Sequence, residues 1–389
     1  MKFFYIINLL FFSNCQCFSK MAFYKFGINP VLLPPNENGE LTWYPIGIPS
    51  DFNSIEPKKI KIRNMNYSIW KDKNGKYYSL RDACSHQGAS LSKGCIKNNL
   101  ITCPYHGYKF DGNNGNLESI PYYEIKNNEK FNINFNINFN INSYKIIEKK
   151  GLVYMNSVPI TNNMTMDLID ENKIWIEEEA YDDTCKEVIL QKEFLNYAKL
   201  VSVNSLDICH ISFVHTFGNK NSPNPLNEPV IEKINDNKYH FRTTYQYKTG
   251  SNSIVRRFFN FDNLIVENEF ILPHTTVARV KFGNYKSTII TYALPISNFE
   301  TKLYVKAYRN YWYSNQTNNP FLYIINLIGN YITKNTMEKT LNEDKEIIDN
   351  IDKYDYESMH GKFSIKFDKL SNLYKHYYKR FYENSKNEI

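Results

Sequence analysis

The sequence has little glycine and proline, with 15 of each among 389 residues. Tyrosine, phenylalanine, isoleucine, lysine and asparagine are abundant instead, and an AT-rich genome explains this bias without any functional cause. Apolar residues make up 42% of the chain and charged residues 22%, which is typical of a globular protein rather than a disordered one. The length is sufficient for two domains that each bury a core.

Long hydrophobic runs and dense basic patches are also lacking. Residues 321–332 form an apolar run of only twelve residues, so we expect a buried or interfacial helix there rather than a membrane span. No basic patch with interleaved motif residues supports nucleic-acid binding. The net charge of +7 predicts mild attraction to acidic partners, such as an acidic electron-donor protein or an anionic membrane.

The seven cysteines lack the spacing of a disulfide framework. Cys84 and Cys103 belong to motifs described below, and two more lie near the N-terminus. The remaining three are Cys95, Cys185 and Cys209, and their spacing predicts a reducing compartment. We expect Cys95 to be a buried free thiol and Cys209 to be a packing residue.

The N-terminus contains an apolar run with the length of a signal-peptide core, which is too short to span a bilayer. Cys15 and Cys17 are small residues placed for cleavage after this run. We therefore expect a leader over residues 1–17, either more of the leader or an N-terminal extension over residues 18–40, and delivery to a plastid. In the alternative, translation begins at Met21 and the protein is cytoplasmic.

Two short motifs, Cys84-Ser-His86 and Cys103-Pro-Tyr-His106, are separated by sixteen residues. We expect two hairpin tips that each present one thiolate and one imidazole. A Rieske [2Fe–2S] cluster needs two cysteines on one iron and two histidines on the other. A structural zinc site also takes two cysteines and two histidines, but zinc fingers usually keep like ligands together. The mixed tips favour the iron–sulfur cluster over zinc.

These motifs resemble the two boxes of Rieske domains. Residues 41–51 resemble the start of such a domain, and Lys-Ile-Ile-Glu-Lys-Lys-Gly-Leu-Val-Tyr-Met at residues 145–155 resembles its closing strand pair. The resemblance implies an all-β Rieske domain over residues 41–160. The implied ligands of its one [2Fe–2S] cluster are Cys84, His86, Cys103 and His106.

A second group of metal-type ligands follows in Asn204-Ser-Leu-Asp207-Ile-Cys-His210-Ile-Ser-Phe-Val-His215. On a helix, Asp207 and His210 would share one face, and the five-residue step to His215 suits a helix that loosens at its end. Two imidazoles and one carboxylate form the facial triad of non-haem Fe(II) oxygenases. The alternative is a helix with two hydrogen-bonded histidines. Four of the eight histidines in the chain lie in the two motifs, which favours iron.

This segment resembles the N-x-x-D-x-x-H-x₄-H box of Rieske non-haem iron oxygenases. By the resemblance, His210 and His215 bind iron, and Asp207 bridges a Rieske histidine of a neighbouring subunit to an iron-bound histidine. A late acidic helix supplies the third ligand, for which we choose Asp344, with Glu343 as the second choice. The resemblance also implies a homotrimer.

The implied fold class is α+β. The Rieske domain precedes a helix-grip catalytic domain of the START/Bet v 1-like kind, with an antiparallel sheet and C-terminal helices, over residues 161–389. In the first domain we expect strands at residues 59–62 and 68–70 with an Asn74-Gly75 turn between later strands. In the second we expect consecutive strands at residues 239–247, 264–271, 275–282, 286–294 and 302–309.

Three further segments have predicted roles. The Phe-Asn-Ile-Asn repeat at residues 131–142 predicts an extended hairpin, with a loop-forming insertion as the alternative. Residues 159–170 are polar and rich in asparagine, and we interpret them as the interdomain linker. A long helical tail is expected from about Thr336, after a loop at residues 315–319.

The family resemblance implies an oxygenase that takes electrons from an external ferredoxin or ferredoxin reductase. With O₂ it would hydroxylate or oxidatively dealkylate a bulky apolar substrate. Residues 366–380 resemble the basic tail helix of pheophorbide a and chlorophyllide a oxygenases, which implies a chlorophyll-type tetrapyrrole. We expect this helix to be a solvated amphipathic cap on the core, with a peripheral membrane contact as the alternative. A sterol desaturase or a small-aromatic oxygenase is the alternative within the family. A Rieske electron-transfer protein without oxygenase activity is the alternative from another class.

Overall fold

The computed structural model describes residues 43–53, 55–121, 139–160, 169–234, 239–316, 319–353 and 363–383. The predicted leader and extension lie outside these residues, as do most of the Phe-Asn-Ile-Asn repeat and most of the predicted linker. The predictions made for those segments therefore stay predictions.

The N-terminal domain is built from antiparallel strands. In the described residues these are β1 (Trp43–Gly47), β2 (Lys58–Ile62), β3 (Met65–Lys71), β4 (Tyr77–Arg81), β5 (Cys95–Lys97), β6 (Leu100–Thr102), β7 (Lys109–Asp111), β8 (Leu117–Ser119), β9 (Tyr144–Lys149) and β10 (Leu152–Pro159). They form three sheets with the orders β1-β10-β9, β2-β3-β4 and β5-β6-β7-β8. The predicted strands around residues 60 and 69 are confirmed, and the Asn74-Gly75 turn joins β3 to β4 with a positive φ of 87° at Gly75.

Both predicted ligand tips are loops, but only the second is a hairpin tip, because the first connects the three-stranded sheet β2-β3-β4 to the four-stranded one. The first tip lies between β4 and β5, and the second connects β6 to β7. Beneath them, Trp70, Leu80 and Phe110 are fully buried in the same hydrophobic cluster as Cys84 and Cys103. The tips therefore rest on a packed core that holds the positions of their cysteines.

The C-terminal domain has one seven-stranded antiparallel sheet. Its strands are β11 (Lys186–Phe194), β12 (Val230–Lys233), β13 (His240–Lys248), β14 (Asn263–Ile271), β15 (Thr275–Phe282), β16 (Tyr285–Ser297) and β17 (Glu300–Arg309). The order is β11-β17-β16-β15-β14-β13-β12. Five of these strands, β13 to β17, confirm the predicted run of consecutive strands, and the antiparallel sheet followed by C-terminal helices confirms the predicted fold class.

The helices of the described residues are α1 (Ala198–Leu206), α2 (Ile211–Val214), α3 (Pro320–Ile348) and α4 (Lys369–Glu383). The predicted start of the helical tail near Thr336 is wrong, because α3 begins sixteen residues earlier, at Pro320. Asn319 caps this helix by accepting a hydrogen bond from the Phe321 amide at 3.0 Å, and proline at the first helical position suits a helix start. Among the described residues no helix meets the length and apolarity needed to cross a membrane.

Helices α1 and α3 cover one face of the sheet. Leu200 and Val201 of α1 share a buried cluster with Leu341 and Ile348 of α3 and with Leu303 of the sheet. This packing brings the C-terminal half of α3 beside the end of α1. The two helices and the sheet face thereby enclose the space in which the second ligand group lies.

The opposite face of the sheet binds the segment that precedes β11. Glu177 of this segment forms a buried ion pair with Lys306, and Glu179 accepts a hydrogen bond from Arg279 Nε at 2.7 Å. Because a buried charge is costly without a partner, these pairs fix the segment against the sheet. They therefore hold the connection between the two domains in a defined position.

The two domains also contact each other directly. The amides of Arg63 and Asn64 donate to the carbonyls of Pro295 and Ile296 at 2.8 and 2.9 Å. The rings of Tyr44 and His274 stack with their centroids 5.0 Å apart, although Tyr44 lies in the first domain and His274 in the second. The β2–β3 turn and β1 thus both anchor the Rieske-like domain on the catalytic sheet.

Cys95 is exposed at the start of β5. The expectation of a buried thiol is therefore wrong. The alternation of β5 explains the difference, since Ile96 packs against the domain core while its neighbours Cys95 and Lys97 point to solvent.

Candidate metal centres

The two ligand tips have the same backbone geometry. Cys84 and Cys103 each donate an amide hydrogen bond at 2.8 Å to a carbonyl five residues later, that of Ala89 or of Tyr108. The glycine four residues after each cysteine, Gly88 or Gly107, has a φ of 74° or 73° and donates back to the cysteine carbonyl. Only glycine adopts this conformation without strain, so sequence and geometry specify two matching loops.

The side chains of the tips converge on one point. Cys84 and Cys103 are 3% and 2% exposed, and His86 Nδ1 lies 3.1 Å from His106 Nδ1 at the surface. Burial, together with the neighbouring Cys103, raises the pKa of the Cys84 thiol to about 11, so a cation must replace its proton if the thiolate is to form. Two buried sulfurs and two outer nitrogens fit a Rieske cluster, which has cysteines on the inner iron and histidines on the outer one.

Aromatic rings support the two histidines. His86 stacks on Tyr108 with centroids 4.8 Å apart, and Tyr105 covers His106 with centroids 3.8 Å apart. Tyr105 itself is exposed. These contacts fix the orientation of the imidazoles while leaving their outer edges at the protein surface.

Asp207 terminates α1 rather than lying on it. The helix ends at Leu206, and Asp207 has an extended backbone with ψ of 119°. The expectation that Asp207 and His210 share a helix face is therefore wrong. The Asp207 carboxylate instead accepts hydrogen bonds from the amides of Cys209 and His210 at 2.8 and 3.3 Å, and this side chain–backbone turn competes with helix continuation.

A four-residue helix, α2, separates the two candidate iron ligands. His210 directly precedes it and His215 directly follows it with an extended backbone. The chain therefore leaves the helical conformation at His215, and the two rings come to 5.1 Å between centroids. The predicted loosening of the helix brings the imidazoles together.

Hydrogen bonds leave the same nitrogen of each ring free. His210 Nδ1–H donates to the Asp207 carbonyl at 2.6 Å, and His215 Nδ1–H donates to Glu343 Oε2 at 3.0 Å. Each ring then presents an unprotonated Nε2, and each Nε2 lies 3.5 Å from Asp344 Oδ1. Such outer hydrogen bonds are typical of metal-binding histidines because they fix the tautomer and the ring orientation.

His210, His215 and Asp344 form a group of potential metal ligands, with their ligand atoms all within 4.8 Å of one another. Burial lowers the pKa of His215, as suits a neutral ligand. Burial also opposes protonation of His210, but contact with Asp344 raises its pKa overall, so a proton and a metal compete for the same nitrogen. The donor set of two nitrogens and one oxygen fits Fe(II).

Asp344 has a further partner in Asn204. Asn204 Nδ2 donates to Asp344 Oδ1 at 2.9 Å. Burial alone would raise the pKa of Asp344, but its contacts with His210, His215 and Asn204 hold that pKa below the ordinary value. Asp344 is thus anionic as a ligand must be, and Asn204 orients it.

A cavity of about 420 Å³ adjoins this site. Its wall includes the three ligand residues, and most of the remaining wall surface is apolar. The apolar side chains come from both the sheet and the helices, and include Val266, Ala278, Ile289, Leu303, Met337 and Leu341. Polar residues also line the cavity, among them Asn268, Thr276 and Thr291. Cavities of this size and character, roughly 300–1,000 Å³, bind small molecules.

Parts of this sequence are similar to known proteins. Residues 42–130 match the family model for the Rieske [2Fe-2S] domain. A cholesterol 7-desaturase (nvd) of Hemicentrotus pulcherrimus is 26% identical over 189 residues, which are 47% of this chain and 36% of that protein. The oxygenase component of a 3-ketosteroid-9-alpha-monooxygenase of Rhodococcus rhodochrous is 34% identical over 80 residues, 21% of each chain. This chain therefore contains a Rieske [2Fe-2S] domain and is similar in sequence to Rieske oxygenases.

Solved structures of Rieske oxygenases share the fold along nearly the whole chain. Dicamba monooxygenase bound to 3,6-dichlorosalicylic acid has a TM-score of 0.70 at 16% identity, covering 90% of this chain and 99% of that one. NdmA of Pseudomonas putida CBB5 with caffeine has a TM-score of 0.66 at 19% identity, covering 90% and 93%. At such identities the likeness shows a common fold. In sequence, the chain spans 36% and 21% of the length of the two curated relatives above.

The similarity to Rieske oxygenases agrees with both predicted cofactors. Its Rieske domain implies a [2Fe–2S] cluster, and Rieske oxygenases also use mononuclear non-haem iron. The residues at both centres fit these groups, as their geometry shows. The predicted ligand residues thus fall into two groups, one at the tips and one beside the cavity.

Two residues beside the second group have contacts that the sequence alone did not assign. Glu343, the second choice for the iron ligand, contacts the outer nitrogen of His215 instead. Asn204 stands in the recognised motif, but its contact with Asp344 joins residues 140 positions apart. In the sequence, the adjacent acidic residues Glu343 and Asp344 indicate that this part of α3 contributes a carboxylate. Only the rotation of α3 about its axis decides which of the two carboxylates faces the Nε2 atoms. The predicted inter-subunit role of Asp207 stays a prediction.

Proposed function

We propose that this Rieske oxygenase oxidises a bulky apolar substrate of the sterol type, by hydroxylation, oxidative dealkylation or desaturation. The observation that carries the proposal is the placement of His210, His215 and Asp344 at the wall of the apolar cavity. Their Nε2 and Oδ1 atoms converge, and residues of that cavity wall can hold an apolar molecule beside them.

The chain's residues divide the work between the two centres. A [2Fe–2S] cluster held by Cys84, His86, Cys103 and His106 would supply single electrons, and Fe(II) held by His210, His215 and Asp344 would supply activation of O₂. Glu343 and the Asp207 carbonyl keep each iron-binding imidazole in one tautomer.

The apolar wall excludes water and orients the substrate. Val266, Ala278 and Leu303 of the sheet offer no hydrogen bonds, so an apolar skeleton gains by being buried against them. The hydroxyls of Thr276 and Thr291 lie 2.6 Å apart in a hydrogen bond on the same wall. They offer a polar anchor for a single hydroxyl or keto group at one end of a largely apolar molecule.

Several relatives favour a sterol over the tetrapyrrole that the basic tail helix suggests. Their printed activities are cholesterol 7-desaturation, 3-ketosteroid 9α-monooxygenation and 4β-methylsterol monooxygenation. A rigid steroid nucleus has few polar groups and matches the wall of the cavity. The chlorophyll-type substrate and the small aromatic are therefore kept as competing substrates in the test.

The proposal includes an electron donor and an assembly. We propose a ferredoxin or ferredoxin reductase as the donor, and the exposed edges of His86 and His106 with Tyr105 beside them provide its docking point. A homotrimer in which Asp207 contacts a neighbouring Rieske histidine is the assembly proposed from the family resemblance. The positive net charge favours an acidic donor.

Iron content separates an oxygenase from an electron-transfer protein. The cofactor-loaded chain should contain about three irons, two in the cluster and one at the second centre. Asp344→Ala should lower this to about two, whereas Glu346→Ala, an exposed position on the same helix, should leave it at about three. A value of about two in the unmodified chain would support the electron-transfer alternative instead.

The substrate class is tested by incubating the loaded chain with a reducing donor and O₂. Cholesterol, a 3-ketosteroid, chlorophyllide, pheophorbide and a methoxylated benzoate are supplied in parallel, and products are read by mass. Gain of one oxygen, loss of two hydrogens or loss of an alkyl group from a sterol, absent with Asp344→Ala, supports the proposal. Turnover confined to a tetrapyrrole or to the benzoate would replace the sterol class.

A further inference from the structure

The first three turns of α3 expose an apolar face. Phe321, Ile324, Ile328 and Tyr331 follow the helical spacing i, i+3, i+7 and i+10 and are 69%, 51%, 52% and 68% exposed. We call the exposed set the α3 patch, and it consists of Phe321, Tyr323, Ile324, Leu327, Ile328 and Tyr331. Clustered exposure of large apolar side chains on one face marks an interaction surface.

The other side of the same helix segment is firmly attached. Asn326 is buried and exchanges two hydrogen bonds of 2.8 Å with the backbone of Ser314. At Gly329 a Cβ atom would lie 2.6 Å from the Trp312 carbonyl oxygen, so the helix approaches that backbone as closely as glycine allows. The orientation of α3 is thus set by these contacts, and the α3 patch necessarily faces outward.

The exposed face changes character after Tyr331. The next exposed positions along it are Lys334, Asn335 and Glu338, and Lys334 forms an exposed i,i+4 ion pair with Glu338 at 3.9 Å. A helix that simply faced water would be polar along its whole length. The apolar surface is therefore confined to the first three turns, where it has a defined boundary.

The α3 patch lies beside the cavity of the candidate iron centre. Phe258 is 64% exposed and packs edge-on against Trp312 with centroids 5.2 Å apart, next to the close approach at Gly329. Val255, three residues before Phe258, lines the cavity, as does Met337 farther along α3. Both elements that carry exposed apolar side chains here thus also form the cavity wall.

Charge favours a lipid surface over an acidic one at this location. Residues 301–337 contain no aspartate or glutamate, and Arg257 is exposed directly beside Phe258. A helix face of Phe, Ile, Leu and Tyr with basic neighbours is the composition that lies in the boundary layer of an anionic membrane. The face is also too short for a membrane span.

A second copy of the chain fits this face less well. Six large side chains at about half exposure present roughly 500 Å² of apolar surface, below the ~800 Å² that each partner contributes to a stable interface.

We propose that the α3 patch docks on an anionic lipid bilayer and that the apolar substrate passes from the bilayer into the adjoining cavity. The second half of this statement rests on the proposed function. The docking half does not, because it follows from the exposed face and its charge. The partner is thus a membrane surface, touched by one face of one helix.

Vesicle flotation of the loaded full-length chain tests the docking. Vesicles of phosphatidylcholine mixed with phosphatidylserine should carry the protein, and Ile324→Glu/Ile328→Glu should lower its partition coefficient by about tenfold or more. The matched control is Ile55→Glu/Val230→Glu, which adds the same charge at positions that are 77% and 69% exposed elsewhere and should float like the unmodified chain. Ile324→Ser/Ile328→Ser removes the same apolar side chains without adding charge, and it should also lower the partition coefficient.

Two results would overturn the proposal. One is a flotation result in which the unmodified chain does not bind the mixed vesicles, or in which the α3-patch variants float as well as the unmodified chain. The other is a drop in oligomeric state of those variants in sedimentation analysis, because the face would then be an interface between copies.

Activity distinguishes this proposal from the substrate assignment. With sterol embedded in vesicles, Ile324→Glu/Ile328→Glu should form about tenfold less product than the unmodified chain. With sterol delivered in cyclodextrin, the variant should oxidise it at the same rate as the unmodified chain. Equal loss with both forms of sterol would contradict entry from the bilayer. If no sterol is oxidised in either form, the proposed function fails while flotation still decides the docking.

Discussion

His215 and Glu343 lie 128 residues apart in sequence, yet His215 Nδ1 is 3.0 Å from Glu343 Oε2. The next residue after Glu343 is Asp344, which faces the other nitrogen of the same ring. One turn of α3 therefore supplies both a ligand carboxylate and the carboxylate that orients a ligand imidazole. This arrangement explains why two adjacent acidic residues are needed at this place.

Glu343→Leu should weaken metal binding at the second centre by about 10–100-fold, because His215 loses the partner that fixes its tautomer. Glu343→Gln should weaken metal binding less than Glu343→Leu, since the glutamine amide oxygen still accepts the hydrogen bond from His215 Nδ1. Titration with Fe(II) or Co(II) under anaerobic conditions measures the affinity, and Glu346→Leu serves as the matched control. Unchanged affinity in Glu343→Leu would show that the contact has no role in holding metal.

Cys84→Ser should abolish the [2Fe–2S] cluster, because the two tips together then offer one buried sulfur instead of two. Cys95→Ser changes a cysteine in the same domain that is exposed, and it should keep the full cluster. Visible absorption, electron paramagnetic resonance of the reduced protein and iron content check both variants. Loss of the cluster in Cys95→Ser would contradict the ligand assignment.

Ala278→Phe should reduce turnover of a bulky substrate while leaving iron content unchanged. Ala278 lines the cavity from the middle of β15, so a phenyl ring there occupies space that the substrate needs. The expected result is a KM raised by about tenfold or more, since a few lost apolar contacts are worth ~1–3 kcal/mol. A KM equal to that of the unmodified protein would place the substrate elsewhere.

His274 predicts an acid-sensitive contact between the domains. Complete burial lowers the pKa of His274 to about 3, and its Nδ1 has no hydrogen-bond partner among the described residues. The folded state thus holds the ring neutral. Its contribution to stability is complete above the unfolded pKa of about 6.5 and is lost as the pH falls towards the folded pKa. The loss is on the order of 4 kcal/mol across that window.

His274→Phe keeps a ring against Tyr44 but cannot bind a proton. The free energy of unfolding in urea should therefore fall less between about pH 7 and about pH 4 for this variant than for the unmodified chain. His376→Phe, at an exposed histidine of α4, is the control and should follow the unmodified chain. Parallel curves for all three proteins would show that His274 does not contribute to acid sensitivity.

Local sequence determined the parts of this protein whose geometry is decided within a few residues. The cysteine, histidine and glycine spacing of the tips specifies two matching loops, because hydrogen bonds between neighbouring residues and a positive φ at glycine close each loop. Alternating side chains likewise specify β13 to β17. The His210–His215 pair follows from its spacing around one short helix.

Tertiary structure decided whatever depends on how separate elements face each other. The sequence offers Glu343 and Asp344 as equivalent carboxylates, and the packing of α3 against α1 and the sheet turns Asp344 to both Nε2 atoms and Glu343 to the back of His215. The same packing leaves the start of α3 outward, so an apolar run that sequence alone could place in a core or at a surface became the exposed α3 patch. The hydrophobicity of a segment determines how much apolar surface it gains by burying. Only the neighbouring elements determine which face of the helix they cover and which face stays exposed.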